Sequence, residues 1–115
     1  MLLKGDGWYD YEAKYADGGM RLEVPPRIPP AAVERLRELA VRAFAAAGCS
    51  GLARADFFVD GDDVLLNELN TMPGFTPTSV YAKLWQSDGL EYPELVDRLV
   101  HIAVERFADE RKHQF

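Results

Sequence analysis

Apolar and polar positions along this chain follow two periods. Over residues 31–47, Val33, Leu36, Ala40, Phe44 and Ala47 recur at steps of three and four, the spacing of one buried helical face. Glu34, Arg35, Arg37, Glu38 and Arg42 occupy the rest and read as a solvated face. Pro30 suits the first helical position, and Gly48 is a natural stop. Over residues 52–70 the period drops to two. LARADFFV (52–59) and VLLNELN (64–70) read as strands, joined by Asp60-Gly61-Asp62-Asp63. An Asp-Gly pair between apolar strands is a hairpin signal. A short helical piece follows over 79–86. A last helix runs over about 93–111, with Leu95, Val96, Leu99, Ile102, Ala103 and Phe107 as its buried stripe and His101 at its surface or boundary. The tail ERKHQF is expected to fray.

The first 20 residues show no such period. GDGWYDYEAKYADGG is dominated by turn residues and reads as a loop. MRLEV (20–24) is a short strand candidate, and PPRIPP (25–30) a rigid connector. The pattern predicts an α+β fold, an antiparallel sheet with helices packed on one side.

Composition narrows the class. At 115 residues, 48% hydrophobic and 28% charged, the chain has the size of one domain and the balance of a globular protein. That size is near the lower limit for a self-sufficient core, which points to a part of something larger. The net charge of −6 argues against nucleic acid, whose phosphates need a basic patch. Cys49 is the single cysteine, so no internal disulfide can form and a reducing compartment is expected. No apolar run approaches the roughly 20 residues that span a bilayer, and the apolar part of MLLKGDG is too short for a signal peptide. Together these predict a cytoplasmic protein without a membrane partner.

The chemistry concentrates in NELNTMPGFT (67–76). A strand that served only as core would not end on Glu68 and Asn70, with Asn67 beside them, and then turn through Met-Pro-Gly-Phe-Thr. Strand side chains alternate, so Glu68 and Asn70 share a face, as do Arg54 and Asp56. A three-residue loop, Asp60-Gly61-Asp62, pairs Val59 with Asp63, Arg54 with Glu68 and Asp56 with Leu66. All four polar residues then lie on one face, whereas a two-residue loop would separate the pairs. Oxygen ligands without His or Cys suit Mg²⁺, and an Arg beside them suits phosphate or a developing oxyanion. The face therefore reads as a Mg-nucleotide site, or as a surface hairpin with a salt bridge.

RADFFV…NELNTMPGFTPTSVYAKLW resembles the C-terminal part of D-alanine–D-alanine ligases of the ATP-grasp superfamily. YDYEAKY is similar to that family's mobile loop, and GCSGLARADFF and YPELVDRLVHIA resemble its intervening and final segments. The resemblance covers nearly the whole chain, and implies one C-terminal ATP-grasp lobe over 1–115, with a mobile substrate-covering loop at 1–20 and a metal-binding hairpin at 52–70. It implies that Asp56, Glu68 and Asn70 hold two Mg²⁺ ions (Mn²⁺ as an alternative) against the phosphates of ATP, Glu68 being shared. It implies that Arg54 steadies the acyl-phosphate and the oxyanion of the tetrahedral intermediate. The Gly74 N–H joins it, which gives a reason for the Pro73-Gly74 turn: backbone without Cβ can approach the reacting carbon. Ser79 and the backbone of Val80 match positions that hold the carboxylate of the second D-alanine, at a helix N-terminus that favours an anion. Lys14 and Tyr15 match the loop's Lys-Tyr pair, the Lys approaching the transferred phosphoryl and the Tyr closing the lid. Lys14 and Asn67 are assigned to the ATP side. Ala55 and Ala82 depart from residues common in the family, and neither is expected to touch the chemistry.

The resemblance also implies what is missing: an N-terminal domain for the first D-alanine, and a central domain whose lysines hold ATP. Three readings follow. The chain is a piece of such a ligase, inactive alone and completed by its missing lobes or self-associating. Alternatively it is a split or remnant domain acting as an interaction module, or part of an ATP-grasp ligase for another acid and amine. The Lys-Tyr pair and the Pro-Gly-Phe-Thr turn favour D-alanine over the last.

Overall fold

The computed structural model describes residues 2–3 and 20–113. Its elements, in order, are β1 (Leu2–Leu3), β2 (Met20–Arg21), α1 (Pro30–Ala46), β3 (Arg54–Asp60), β4 (Asp63–Asn70), α2 (Val80–Ser87) and α3 (Tyr92–Lys112). β1 and β2 pair antiparallel, as do β3 and β4. The α+β expectation holds, with α1 lying across one face of the β3–β4 hairpin.

Helix boundaries follow local chemistry. Pro30 occupies the first position of α1, where its missing N–H has no helical partner to lose. The helix closes on two bonds, Gly48 N–H to the Ala45 carbonyl and Cys49 N–H to that of Phe44, each 3.1 Å. α2 ends the same way, with Gly89 N–H donating to Gln86 at 3.0 Å and Leu90 N–H to Trp85 at 2.9 Å. Gly89 takes φ 90°, left-handed backbone that a Cβ disfavours, and this reversal delivers Leu90 to the core. Along α1 the charged residues form solvated ion pairs, Glu34–Arg37 at 3.0 Å and Arg35–Glu38 at 3.3 Å, worth a few tenths of a kcal/mol each.

The core is small and sits away from the sheet. Tyr81, Leu90 and Leu95 are buried, with Leu52, Phe75 and Leu99 packed against them. This joins α2, the start of α3 and the loop that leaves β4. Ala32, rather than its larger neighbours, is the fully buried residue of α1; Val33, Leu36, Ala40 and Phe44 are half-buried and Ala47 is exposed, beyond the helix end. The stripe expected on the last helix is buried only at its start. Leu95 is 3% exposed, Ile102 40% and Phe107 60%, because no described element packs over the second half of α3. An open groove of ≈ 690 Å³ between α1, the sheet and α2 is lined by Leu36, Ala40, Phe44, Phe57, Leu69 and Leu84. No helix among the described residues is long and apolar enough to cross a membrane.

Candidate functional site

The hairpin turn is shorter than expected. Asp60 pairs with Asp63, so the loop is the two residues Gly61-Asp62 and not three. Gly61 has φ 59°, and no described non-Gly residue has positive φ. That combination fits a type II′ turn, which takes Gly at its first central position and matches the twist of the strands. From that turn a straight ladder would set Asp56 against Asn67, and would put Glu68 and Asn70 on the face of Ala55 and Phe57. The chain avoids this with a β-bulge. Phe57 pairs with Leu66, but Asp56 pairs with Glu68 and Arg54 with Asn70. Asn67 is the extra residue, and the register moves by one.

The expected face is thus formed by a different register. Arg54 stands opposite Asn70 rather than Glu68, and Asp56 opposite Glu68 rather than Leu66. All four polar residues share a face with Phe58 and Leu65, which are 59% and 66% exposed. The opposite face, with Ala55, Phe57 and Leu69, is the one α1 covers. Among the described residues, helix packing lies on the other side and not on the polar one.

Arg54 grips Asp56 with both arms of its guanidinium. Nε donates to one carboxylate oxygen and an Nη to the other, each at 2.9 Å. The two side chains are 27% and 29% exposed. Such a partly solvated pair is worth about 1 kcal/mol, little enough for Asp56 to exchange its partner for a stronger one. Among the described residues no three His, Cys, Asp or Glu side chains cluster as a metal site; the candidate set is two carboxylates and one amide. Oxygen donors alone, in so small a number, fit a hard cation that completes its shell with water and phosphate.

Beyond β4 the chain is pinned at successive points. Asn70 Oδ1 accepts the Met72 N–H at 3.0 Å, an Asx turn. Pro73 is buried. Thr76 N–H donates to Ser79 Oγ at 3.2 Å, and Ser79 Oγ donates to the Thr76 carbonyl at 2.8 Å. Ser79 precedes α2, and Val80 is that helix's first residue. Its hydroxyl bonds within the 76–79 turn and leaves the helical N–H groups uncapped. A Cβ on Gly74 would meet only Ser79 Cβ, at 3.8 Å, an ordinary contact. The fold does not itself demand glycine there. Tyr92, which periodicity did not single out, donates its hydroxyl to the Phe75 carbonyl at 3.3 Å. Its one sequence signal is an aromatic ring placed directly before a helix-starting proline.

Lys14 and Tyr15, with the rest of the expected mobile loop, lie outside the described residues. His101 and His113 are exposed on α3 and just past its end; each ring Nδ1 sits 2.9 Å from the carbonyl one turn back.

The family described as D-ala D-ala ligase C-terminus matches residues 2–101. A D-alanine–D-alanine ligase of Acetivibrio thermocellus is 46% identical over 113 residues, covering 96% of this chain and 30% of that protein. The solved D-alanine–D-alanine ligase of Coxiella burnetii superposes with a TM-score of 0.72 at 40% identity, over 76% of this chain and 25% of that one. The Bacillus anthracis D-alanine–D-alanine ligase complexed with ATP gives 0.70 at 27% identity, over 74% of this chain and 29% of that one. The chain therefore spans under a third of each of these relatives. With most of its length inside the matched region, and with the hairpin and the turn after it both included, the chain belongs to the D-alanine–D-alanine ligase family, in its C-terminal part.

Proposed function

We propose that this chain is the C-terminal ATP-grasp lobe of an ATP-dependent ligase that joins two D-alanines for peptidoglycan precursor synthesis in the cytoplasm. The observation that carries the reading is the bulged hairpin, which sets Arg54, Asp56, Glu68 and Asn70 on one face that the described helices leave uncovered. In the complete enzyme ATP phosphorylates the carboxylate of the first D-alanine. The amine of the second attacks the acyl-phosphate carbon, the C–N bond forms, and phosphate leaves beside ADP. Asp56, Glu68 and Asn70 would hold Mg²⁺, which supplies charge neutralisation to the ATP phosphates when bound. Arg54 and the Gly74 N–H stabilise the oxyanion that develops on the attacked carbonyl. The N-terminal end of α2, at Ser79 and Val80, holds the carboxylate of the incoming D-alanine. Lys14 serves the phosphoryl group and Asn67 the nucleotide, with Tyr15 in the closing lid.

The lobe is incomplete by its own surface. Phe58 and Leu65 flank the site, and Val100, Val104 and Phe107 lie bare along α3. Apolar area of that kind marks an interaction surface, so the partners are the remaining ligase lobes or a second copy. The test is a phosphate-release assay with ATP, Mg²⁺ and D-alanine. The 115-residue chain alone gives no turnover at any concentration of these. The same chain, replacing the corresponding segment of the A. thermocellus ligase, supports D-alanyl-D-alanine formation. Sustained turnover by the chain alone, or a dead but folded chimera, refutes the reading.

Metal binding gives a second check. Without nucleotide phosphates, and with Asp56 already engaged by Arg54, the isolated chain binds Mg²⁺ with a Kd of about 1 mM or weaker, as sites with few protein ligands do. In an NMR titration Asp56, Glu68 and Asn70 shift first. Shifts confined to other acidic residues, such as those along α3, remove the ligand assignment.

A further inference from the structure

Tyr92 opens α3, yet it is tied to the turn that follows β4. Its ring lies 5.4 Å from that of Phe75, which lies 6.0 Å from Tyr81. Its hydroxyl meets the Phe75 carbonyl at 3.3 Å, a long hydrogen bond reinforced by the ring contact. The turn's other hydrogen bonds are local. Asn70 to Met72 spans two residues and Ser79 to Thr76 three. Local ties set the shape of a turn but not where it stands. Tyr92 acts across 17 residues and adds a polar tie beside the packing of Phe75 on the core of Tyr81, Leu90 and Leu95. The distinction matters because Gly74 travels with the turn whereas Arg54 is fixed on the hairpin. Two donors that serve one oxyanion must be held in register, since displacement of about 1 Å can cost 10²-fold in rate.

We propose that Tyr92 is a positioning residue: through the Phe75 carbonyl and ring it fixes where the turn presents the Gly74 N–H relative to Arg54. The role rests on the ligase reading given above. Tyr92→Phe keeps the ring and removes only the hydroxyl. Tyr92→Leu removes the ring contact as well. In the A. thermocellus chimera Tyr92→Phe lowers kcat about three- to tenfold, the worth of one neutral hydrogen bond. Tyr92→Leu lowers it about 10²-fold. The KM for ATP stays within about twofold in both, because the nucleotide side of the site is built on the hairpin. In the 115-residue chain Tyr92→Phe speeds amide hydrogen exchange at Phe75 and Thr76, with Leu99 unchanged.

Full kcat in Tyr92→Phe overturns the role, and so does a lower kcat with unchanged exchange in the turn. A rise in the KM for ATP that matches the fall in kcat also overturns it, as the sign of a general loss of structure. The two readings fail separately. An Arg54→Ala chimera with normal kcat refutes the site itself, whereas normal kcat in Tyr92→Phe beside an impaired Arg54→Ala refutes Tyr92 alone.

Discussion

Arg54→Ala in the chimeric ligase lowers kcat by about 10²–10³, the usual cost of one preorganised oxyanion donor. The KM values change far less, because charge on the attacked carbonyl develops in the transition state and not on binding. The fold adds a second expectation. Arg54 holds both oxygens of Asp56, so its removal frees a carboxylate for the cation, and the Mg²⁺ requirement falls or stays level while kcat collapses. Arg54→Lys keeps the charge but cannot hold two oxygens in a planar fork. It recovers only a minor part of the rate. Steady-state kinetics at varied Mg²⁺ check both points, and a near-normal kcat in Arg54→Ala ends the proposed role.

Deleting Asn67 is the second change with a large expected effect. Removing any paired residue of β4 slips the strand and exchanges its faces. Removing the bulge residue does not, since Asp56–Glu68 and Arg54–Asn70 remain the pairs on a straight ladder. The hairpin stays intact, and cross-strand NOEs between residues 56 and 68 persist. What is lost is the local bend and twist by which a bulge re-aims side chains, together with the Asn67 side chain proposed to serve the nucleotide. Misaiming Glu68 by about 1 Å lowers kcat by about 10²-fold, with a rise in the KM for ATP from loss of the proposed Asn67 contact. A deletion variant with unchanged kinetics shows that the bulge only corrects the register and refutes the nucleotide role of Asn67.

The hairpin also marks where reading the sequence reaches its limit. Asp60-Gly61 announced a turn, and alternation announced two strands. The requirement that Glu68 and Asn70 join Arg54 and Asp56 selected a three-residue loop, because parity can be corrected there. The chain corrects it in the strand, six residues after Gly61. A bulge leaves no composition signal at Asn67, and parity alone cannot tell an extra loop residue from an extra strand residue. The face survived the error and the opposed pairs did not. α1 and α2 were legible because Pro30, Gly48 and the apolar spacing act locally. The stripe of α3 was read too far, since periodicity says which face is apolar and not whether anything covers it; Val96 and Leu99 are half-buried, whereas Phe107 is bare. Tyr92 was invisible for the converse reason: its partner is 17 residues away, and only the packing of the turn brings them together.

The Arg54–Asp56 clasp has a consequence for the order of events in the life of the chain. The hairpin carries carboxylates that face each other across the ladder, Asp56 against Glu68. Like charges directly opposed oppose strand pairing. A guanidinium on Asp56 leaves one uncompensated carboxylate in place of two, so the hairpin can close during synthesis, before any ligand is at hand. On the proposed reading the lobe then matures independently of its cargo, and nucleotide supply bears on when the site works and not on whether it is built.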